Sequence, residues 1–428
     1  MKLGDYIIVN PESIRKEYPF SEIEYIDISS VDTAILKGTQ CLPLEKAPSR
    51  AKRIVKEGDT LLATVRPNLR SFWYAQRTKK NTVASTGFAV LRAKEEIDPR
   101  FLYYTVTTQD FSAFLSANVK GAAYPAVDTE TIQRADVFIP PLPTQRKIAA
   151  ILSAYDDLIE NNMRRIKILD NMAQSLYQEW FVKFRFPGHG HVRFVDSPLG
   201  KIPEGWEIKL LKDIIINHIG GGWGKDQADP KHTEPAWVVR GTDLPNLRYC
   251  NISGVPFRYH SASNLKKRIL EERDIIFEVS GGSKDQPLGR CILISSELLR
   301  VFGGFKIICA SFCKKIKPKD TVLASSILYL SFLDAYNSGE IENYQVQSTG
   351  ISNFKWSDYI NKVYRIIPNK DIQNRFCEIF NDLFGKVNIL GLKNFNLRKT
   401  RDLLLPKLIS GEVDVSNLDI DIPEEISV

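Results

Sequence analysis

Residues 144–184 contain no Gly and no Pro. Apolar side chains recur there at alternating steps of four and three: Ile148, Leu152, Tyr155, Ile159, Ile166, Leu169, Ala173, Leu176 and Trp180, with Asn162 as the one polar interruption. Two interleaved seven-residue series on one helix make the narrow seam of a coiled coil. Pro143 and Thr144 precede the run and Pro187-Gly188 comes after it, which places an N-cap at Thr144 and a stop before Pro187. At 1.5 Å per residue such a helix is roughly 60 Å long. An amphipathic helix of that length needs a partner to cover its seam.

The chain supplies that partner through an internal repeat. Lys52–Asp59 (KRIVKEGD) matches Lys267–Asp274 (KRILEERD) at an offset of 215, from 267 − 52. Ile139-Pro140 matches Ile367-Pro368 at an offset of 228, from 367 − 139, and the same offset pairs Gln145 with Gln373 and Ile151 with Ile379. It also carries the seam onto Phe376, Phe380, Leu383, Val387, Leu390, Asn394, Leu397, Arg401, Leu404 and Leu408. Eight of these ten are apolar, so the register survives where individual residues do not. Two such helices pair antiparallel about a pseudo-two-fold axis. A seam centred near residue 164 and its equivalent near 392 sets Asn162 opposite Asn394, a buried polar pair that fixes register at some cost in stability. Pro406 is expected to end or kink the second helix early.

The expected fold class is α+β, with two α/β domains in tandem repeat separated by two long antiparallel coiled-coil helices. The boundaries come from texture: a first domain over 1–143, a long helix over 144–186, a Gly-, Pro- and His-rich linker over 187–206, a second domain over 207–368, a second long helix over 369–412 and an acidic tail over 413–428. Short strands punctuated by turn residues fill both domains, with a helix expected over Pro99–Leu115 in the first and near Ala324–Tyr336 in the second.

A chain of 428 residues with 43% hydrophobic and 25% charged residues has the composition of an ordinary globular protein. Its net charge of +7 is compatible with an anionic partner without requiring one. Six scattered cysteines lack zinc-site spacing, and Cys309-x3-Cys313 reads as a pair of strand cysteines. His189 and His191 stand in the linker without a supporting Cys or acidic cluster, so no metal site is expected. No signal-peptide pattern and no apolar run of 18 residues occurs, so a cytoplasmic location, reduced thiols and no membrane partner are expected.

Catalytic constellations are missing from the sequence. There is no Gly-Lys-Ser/Thr phosphate loop, no Asn/Asp-Pro-Pro-aromatic run and no Pro-Asp upstream of Glu207-x-Lys209. Gly220–Gly224 comes after a strand-like segment, but no clear helix or ribose-binding acid succeeds it, so it reads as a turn exposing backbone and Trp223. Polar and basic loops remain. In the first domain they offer Arg66, Asn68, Arg70, Lys120 and Tyr124. In the second they offer Trp223, Lys225, Arg240, Lys284, Gln286, Ser348 and Thr349. Arg, Lys, Asn and Gln read phosphates and base edges, and neighbouring glycines let backbone approach closely. Duplicated polar surfaces mounted on a rigid spacer suit a long, repetitive polyanion. A coiled-coil scaffold for protein partners and a free-standing enzyme of unfamiliar site are the alternatives.

In order along the chain stand Ser85–Phe88 (STGF), Ile139–Gln145 (IPPLPTQ), Trp180-Phe181, Phe186–Gly188 (FPG), Ile202–Trp206 (IPEGW), Gly220–Gly224, Arg240–Asp243 (RGTD) and Leu404–Glu412 (LLPKLISGE). With these segments the chain resembles the specificity subunits of type I restriction-modification systems. The resemblance implies two target-recognition domains, each reading one half of a bipartite double-stranded DNA site. It also implies helices that space the domains and dock modification (methyltransferase) subunits, with restriction subunits completing the complex. No cofactor is then expected on this chain; S-adenosylmethionine, ATP and Mg belong to the partners.

Overall fold

The computed structural model describes residues 1–120, 125–281, 287–348 and 351–422. Contacts divide the chain into one unit of Met1–Asp157 with Arg398–Val428 and another of Leu158–Leu397. Each unit therefore owns part of both long helices, Leu142–Tyr177 and Lys370–Ser410.

In the first unit, a four-stranded antiparallel sheet has the order Ile7–Val9, Phe88–Ala93, Thr60–Ala63, Phe72–Tyr74. A second sheet has the order Gln40–Pro43, Glu22–Ile26, Thr82–Ser85, Ala51–Ile54, with its two middle strands parallel. Leu61, Val90, Ile26 and Ala84 fill the core between them. The other face of the first sheet packs through Leu62 and Leu91 on Phe101, Leu102, Ile148 and Leu152, which share one cluster with Leu408 and Ile409 of the second long helix.

In the second unit, the order Ile215–Gly220, Cys313–Pro318, Ile275–Glu278, Cys291–Leu293 repeats that of the first unit's opening sheet. The companion sheet has three strands, Phe257–His260, Glu234–Val239 and Lys306–Cys309, again with one parallel pair. The main core joins Phe277, Phe332 and Tyr359 to Trp180 and Phe181, just past the first long helix, and to Phe376 of the second. Cys309 and Cys313 are buried strand residues, and burial pushes the Cys309 thiol up to about 12.

The helices run antiparallel within each unit. In the second unit Ile166 packs on Val387 and Leu390, and the Phe181 and Phe376 rings meet at 4.7 Å. Phe380 and Leu383 are buried in the same way, and Leu169 and Leu176 are half-buried against them. The Asn162 amide donates to the Asn394 side-chain carbonyl at 2.9 Å, with both residues buried. In the first unit the seam carries an ion pair instead: Arg401 Nη1 lies 2.5 Å from Asp156, whose other oxygen accepts from Tyr104 at 2.7 Å. Of the other seam positions, Ile159 is buried, and Tyr155, Leu397 and Leu404 are half-buried.

Several sequence expectations need correction. The first long helix begins at Leu142, so Thr144 lies inside it and is not its cap. Its α-helical part ends at Tyr177, and a π-turn over Gln178–Val182 leads to Phe184 at φ 56°. The single helix expected over 99–115 is two, Pro99–Val106 and Gln109–Ala117, because the Thr108 hydroxyl caps the second through the Phe111 N–H. Pro406 does not end its helix, which continues to Ser410 and stops at Gly411, φ 79°. A proline this near a helix end removes one hydrogen bond, and burial of Leu408 and Ile409 offsets that loss. The linker contains a hairpin, with Phe194–Ser197 paired to Gly200–Pro203, and Phe186 stacks on Trp206 at 5.1 Å. Part of the tail also packs, with Val415 buried and the Lys147 ammonium donating to the Ser416 and Leu418 carbonyls.

Candidate nucleic-acid interface

Two loops meet in each unit, and they occupy equivalent places. In the first unit, the connection from Thr60–Ala63 to Phe72–Tyr74 carries Arg66–Arg70. It pairs with the segment around Lys120–Ala126: Val65 bridges Ala126, the Arg66 N–H donates to the Pro125 carbonyl at 3.0 Å, and the Val127 N–H donates to the Thr64 carbonyl at 2.9 Å. In the second unit, the connection from Ile275–Glu278 to Cys291–Leu293 carries Ser280–Gly281. It pairs with Ile351–Phe354, itself half of a hairpin with Gln345–Ser348. The Phe354 N–H donates to the Val279 carbonyl at 2.9 Å, the counterpart of the Val127 bond. Four of the polar loops singled out in the sequence are thus gathered as two matching pairs.

Arg66 and Arg70 both sit in the left-handed region, at φ 50° and 54°, and flank the short turn Pro67–Leu69. Non-glycine residues hold that conformation at a cost and cluster at working sites. Arg66 and Asn68 are exposed. Arg70 is half-buried, donates to the Thr107 carbonyl at 2.7 Å and lies 5.7 Å from the Phe72 ring centre. Burial pushes its pKa down. Lys120 pairs with Asp128 and holds that carboxyl well below the usual range. Ser348 ends its strand; Tyr124, Lys284, Gln286 and Thr349 lie outside the described residues.

The remaining sequence candidates lie elsewhere in the second unit. Gly221 and Gly222 donate to the Cys313 and Cys309 carbonyls at 3.0 and 2.9 Å, so these backbone donors are already occupied. A Cβ at Gly221 would fall 2.1 Å from the Ala310 carbonyl oxygen, which explains the glycine by packing. Trp223 is 41% exposed, and the Arg258 guanidinium lies 4.2 Å from its ring centre. Lys225 is exposed and pairs by backbone with Tyr259. Arg240 is committed internally: it grips Asp243 at 3.0 and 2.7 Å and donates to the Gly254 carbonyl at 2.7 Å.

Sequence reading passed over His218, Lys314, Lys355 and Trp356, which line an open cavity of about 750 Å³ in the second unit. Lys314 stands on an inner strand, where alternation turns Lys314 and Lys315 to opposite faces. A Lys-Lys pair within a strand was the available signal.

Residues 15–170 match the family model described as the type I restriction modification DNA specificity domain. The chain is 27% identical over 417 residues to the type I restriction enzyme MjaIX specificity subunit of Methanocaldococcus jannaschii, covering 95% of this chain and 90% of that one. It is 22% identical over 416 residues to the type I restriction enzyme HindI specificity subunit of Haemophilus influenzae, covering 86% and 89%. The crystal structure of a type I restriction-modification system S subunit from M. genitalium shares the fold, with a TM-score of 0.50 at 13% identity and coverage of 96% and 95%. No helix of the described residues is long and apolar enough to cross a membrane. Over residues 15–170 the chain thus matches the type I restriction modification DNA specificity domain, and along nearly its whole length it is similar to type I restriction enzyme specificity subunits.

Proposed function

We propose that each unit reads one half of a bipartite double-stranded DNA site, through the paired loops at Arg66–Arg70 and Lys120–Tyr124 in the first and at Ser280–Gln286 and Gln345–Phe354 in the second. The observation that carries this reading is the repetition of one loop pairing on one strand order in both units. Residues 15–170 match the specificity-domain family model, and the repeated strand order supports the same reading for the second unit. Arg66, Asn68 and Arg70 serve base edges and phosphates, as do the Lys and Gln side chains of the other loops.

The long helices set the spacing of the two half-sites and dock modification subunits. Leu158, Ile168 and Met172 on the first helix and Ile379 and Ile389 on the second are exposed apolar residues that suit a protein partner. Restriction subunits join the same assembly. S-adenosylmethionine, ATP and Mg belong to those partners, in keeping with a recognition chain. The cytoplasm, where host DNA and these subunits meet, is the compartment of action.

The test is a domain exchange read by methylome sequencing. Replacing residues 1–140 with those of a relative changes one half of the methylated sequence and leaves the other half and the spacer intact. A change in both halves, or in neither, refutes the modular reading. Duplex binding by the full chain with its modification subunits also weakens steeply with salt, because phosphate contacts release counterions.

A further inference from the structure

The cavity lined by His218, Lys314, Lys355 and Trp356 adjoins the Ile351–Phe354 strand, and Phe354 itself is part of its wall. Lys314 comes from an inner strand of the four-stranded sheet and is half-buried, a position where a lysine ordinarily finds a carboxylate. No ion pair within 4 Å is formed by Lys314 or Lys355 among the described residues, whereas Lys315 on the opposite face is paired with Asp274 at 3.1 Å. The one acid on the wall, Asp358, is held by Lys362 at 3.1 Å. His218 is exposed and packs edge-on against the Trp356 ring at 5.5 Å. Trp356 is 6% exposed and forms part of the wall.

We propose that this cavity is a phosphate clamp of the second unit, which takes a backbone phosphate of the DNA duplex between Lys314 and Lys355. The inference rests on the DNA-reading function above and adds a sequence-independent contact to it. Two ammonium groups line it, and the carboxylate on its wall, Asp358, is paired with Lys362. A phosphate contact fixes the register of the neighbouring loop on the duplex and carries no base preference.

The experiment compares the full chain, assembled with its modification subunits, with the variants Lys314→Gln and Lys355→Gln on cognate and random duplexes across a salt series. Each lost phosphate contact lowers the slope of log K against log salt by about 0.9. The clamp holds one phosphate, so the two substitutions together are expected to flatten the slope by about 0.9 and each single variant by part of that, with affinity lowered on cognate and random duplexes alike and the methylated sequence unchanged. Lys355 is exposed, so its variant keeps the test valid should Lys314→Gln fail to fold. An unchanged slope in Lys355→Gln, or loss on the cognate duplex alone, overturns the clamp while leaving the DNA-reading function standing. Absence of salt-dependent DNA binding by the unaltered complex refutes both. Inorganic phosphate at matched ionic strength separates a free anion from the duplex: saturable quenching of Trp356 fluorescence by phosphate, absent in Trp356→Phe, together with an unchanged DNA slope, would assign the cavity to a small anion instead.

Discussion

The two units solve one folding problem with different local material. In the first, Lys52-Arg53-Ile54 belongs to a strand, Ala51–Ile54, on the edge of a four-stranded sheet. In the second, the matching Lys267-Arg268-Ile269 closes a helix, Ala262–Arg268, and the companion sheet keeps three strands. Beyond that segment the two units agree. Gly58 and Arg273 turn at φ 84° and 70°, and the next residue is a buried aspartate that accepts from the backbone N–H three residues back: Asp59 from Lys56 at 2.8 Å, Asp274 from Glu271 at 2.7 Å. Each aspartate meets a cation from the neighbouring strand, Arg92 at 2.8 Å and Lys315 at 3.1 Å. The repeated sequence therefore preserves a turn and a buried charge pair, and leaves the preceding secondary structure free to change.

Removing the aspartates gives the largest expected effects. Asp274→Ala is expected to cost about 3–5 kcal/mol, because Lys315 is left buried without its paired carboxylate. Asp59→Ala is expected to cost less, about 2–3 kcal/mol, since Arg92 keeps Glu12 at 2.6 Å. Burial pushes the Asp274 carboxyl above its ordinary value despite Lys315, so desolvation outweighs the attraction there. Urea unfolding of the two single variants measures the difference. Equal costs would break the claim that the second partner of Arg92 distinguishes the units.

A second repeated device is the glutamine that opens each long helix. Gln145 donates to the Pro140 and Glu96 carbonyls at 2.8 and 3.1 Å and accepts from the Asp98 N–H at 2.8 Å. Gln373 does the same with Pro368, Val322 and the Ala324 N–H at 2.8, 3.1 and 3.2 Å. Each thereby ties a long helix to the residue that precedes a core helix, Pro99–Val106 or Ser325–Asn337. Alanine at either position breaks three hydrogen bonds, one of them to a buried carbonyl, and is expected to cost about 1–3 kcal/mol. The two losses should agree within about 1 kcal/mol. A neutral Gln373→Ala would show that the second unit holds its helix by packing alone.

The 228-residue offset made Gln145 and Gln373 legible as a pair together with Pro140 and Pro368, but not their clamp, because the other partners, Glu96 and Asp98 or Val322 and Ala324, come from segments with no repeated sequence. The same limit governs the recognition surface. Periodicity identified the seam and its Asn pair because helix geometry fixes which residues share a face. The loops were visible as polar segments, yet Arg240 and Lys120 are bound by Asp243 and Asp128, and only tertiary structure reveals that. The neighbours of Lys314 were equally hidden: His218 and Trp356 come from separate elements.

The smallest expected effect concerns how each unit pins its helices. The first uses Asp156 with Arg401 and Tyr104, and the second uses Asn162 with Asn394. Asn394 is fully buried, and its amide also approaches the Ile159 carbonyl at 3.5 Å, too long to replace the partner. Asn162→Leu therefore strands an amide, whereas the double variant with Asn394→Leu removes both polar groups and fills the seam. A double-mutant cycle is expected to give a coupling of about 1 kcal/mol, with the double variant at least as stable as either single variant. The gain in packing carries a loss of register, because Leu against Leu does not distinguish one helical turn from the next. That loss is readable as a broader set of spacer lengths in the methylated sites. Strict spacing in the double variant would mean that the ion pair of the first unit fixes register alone, and that the Asn pair is a cost without a positional role.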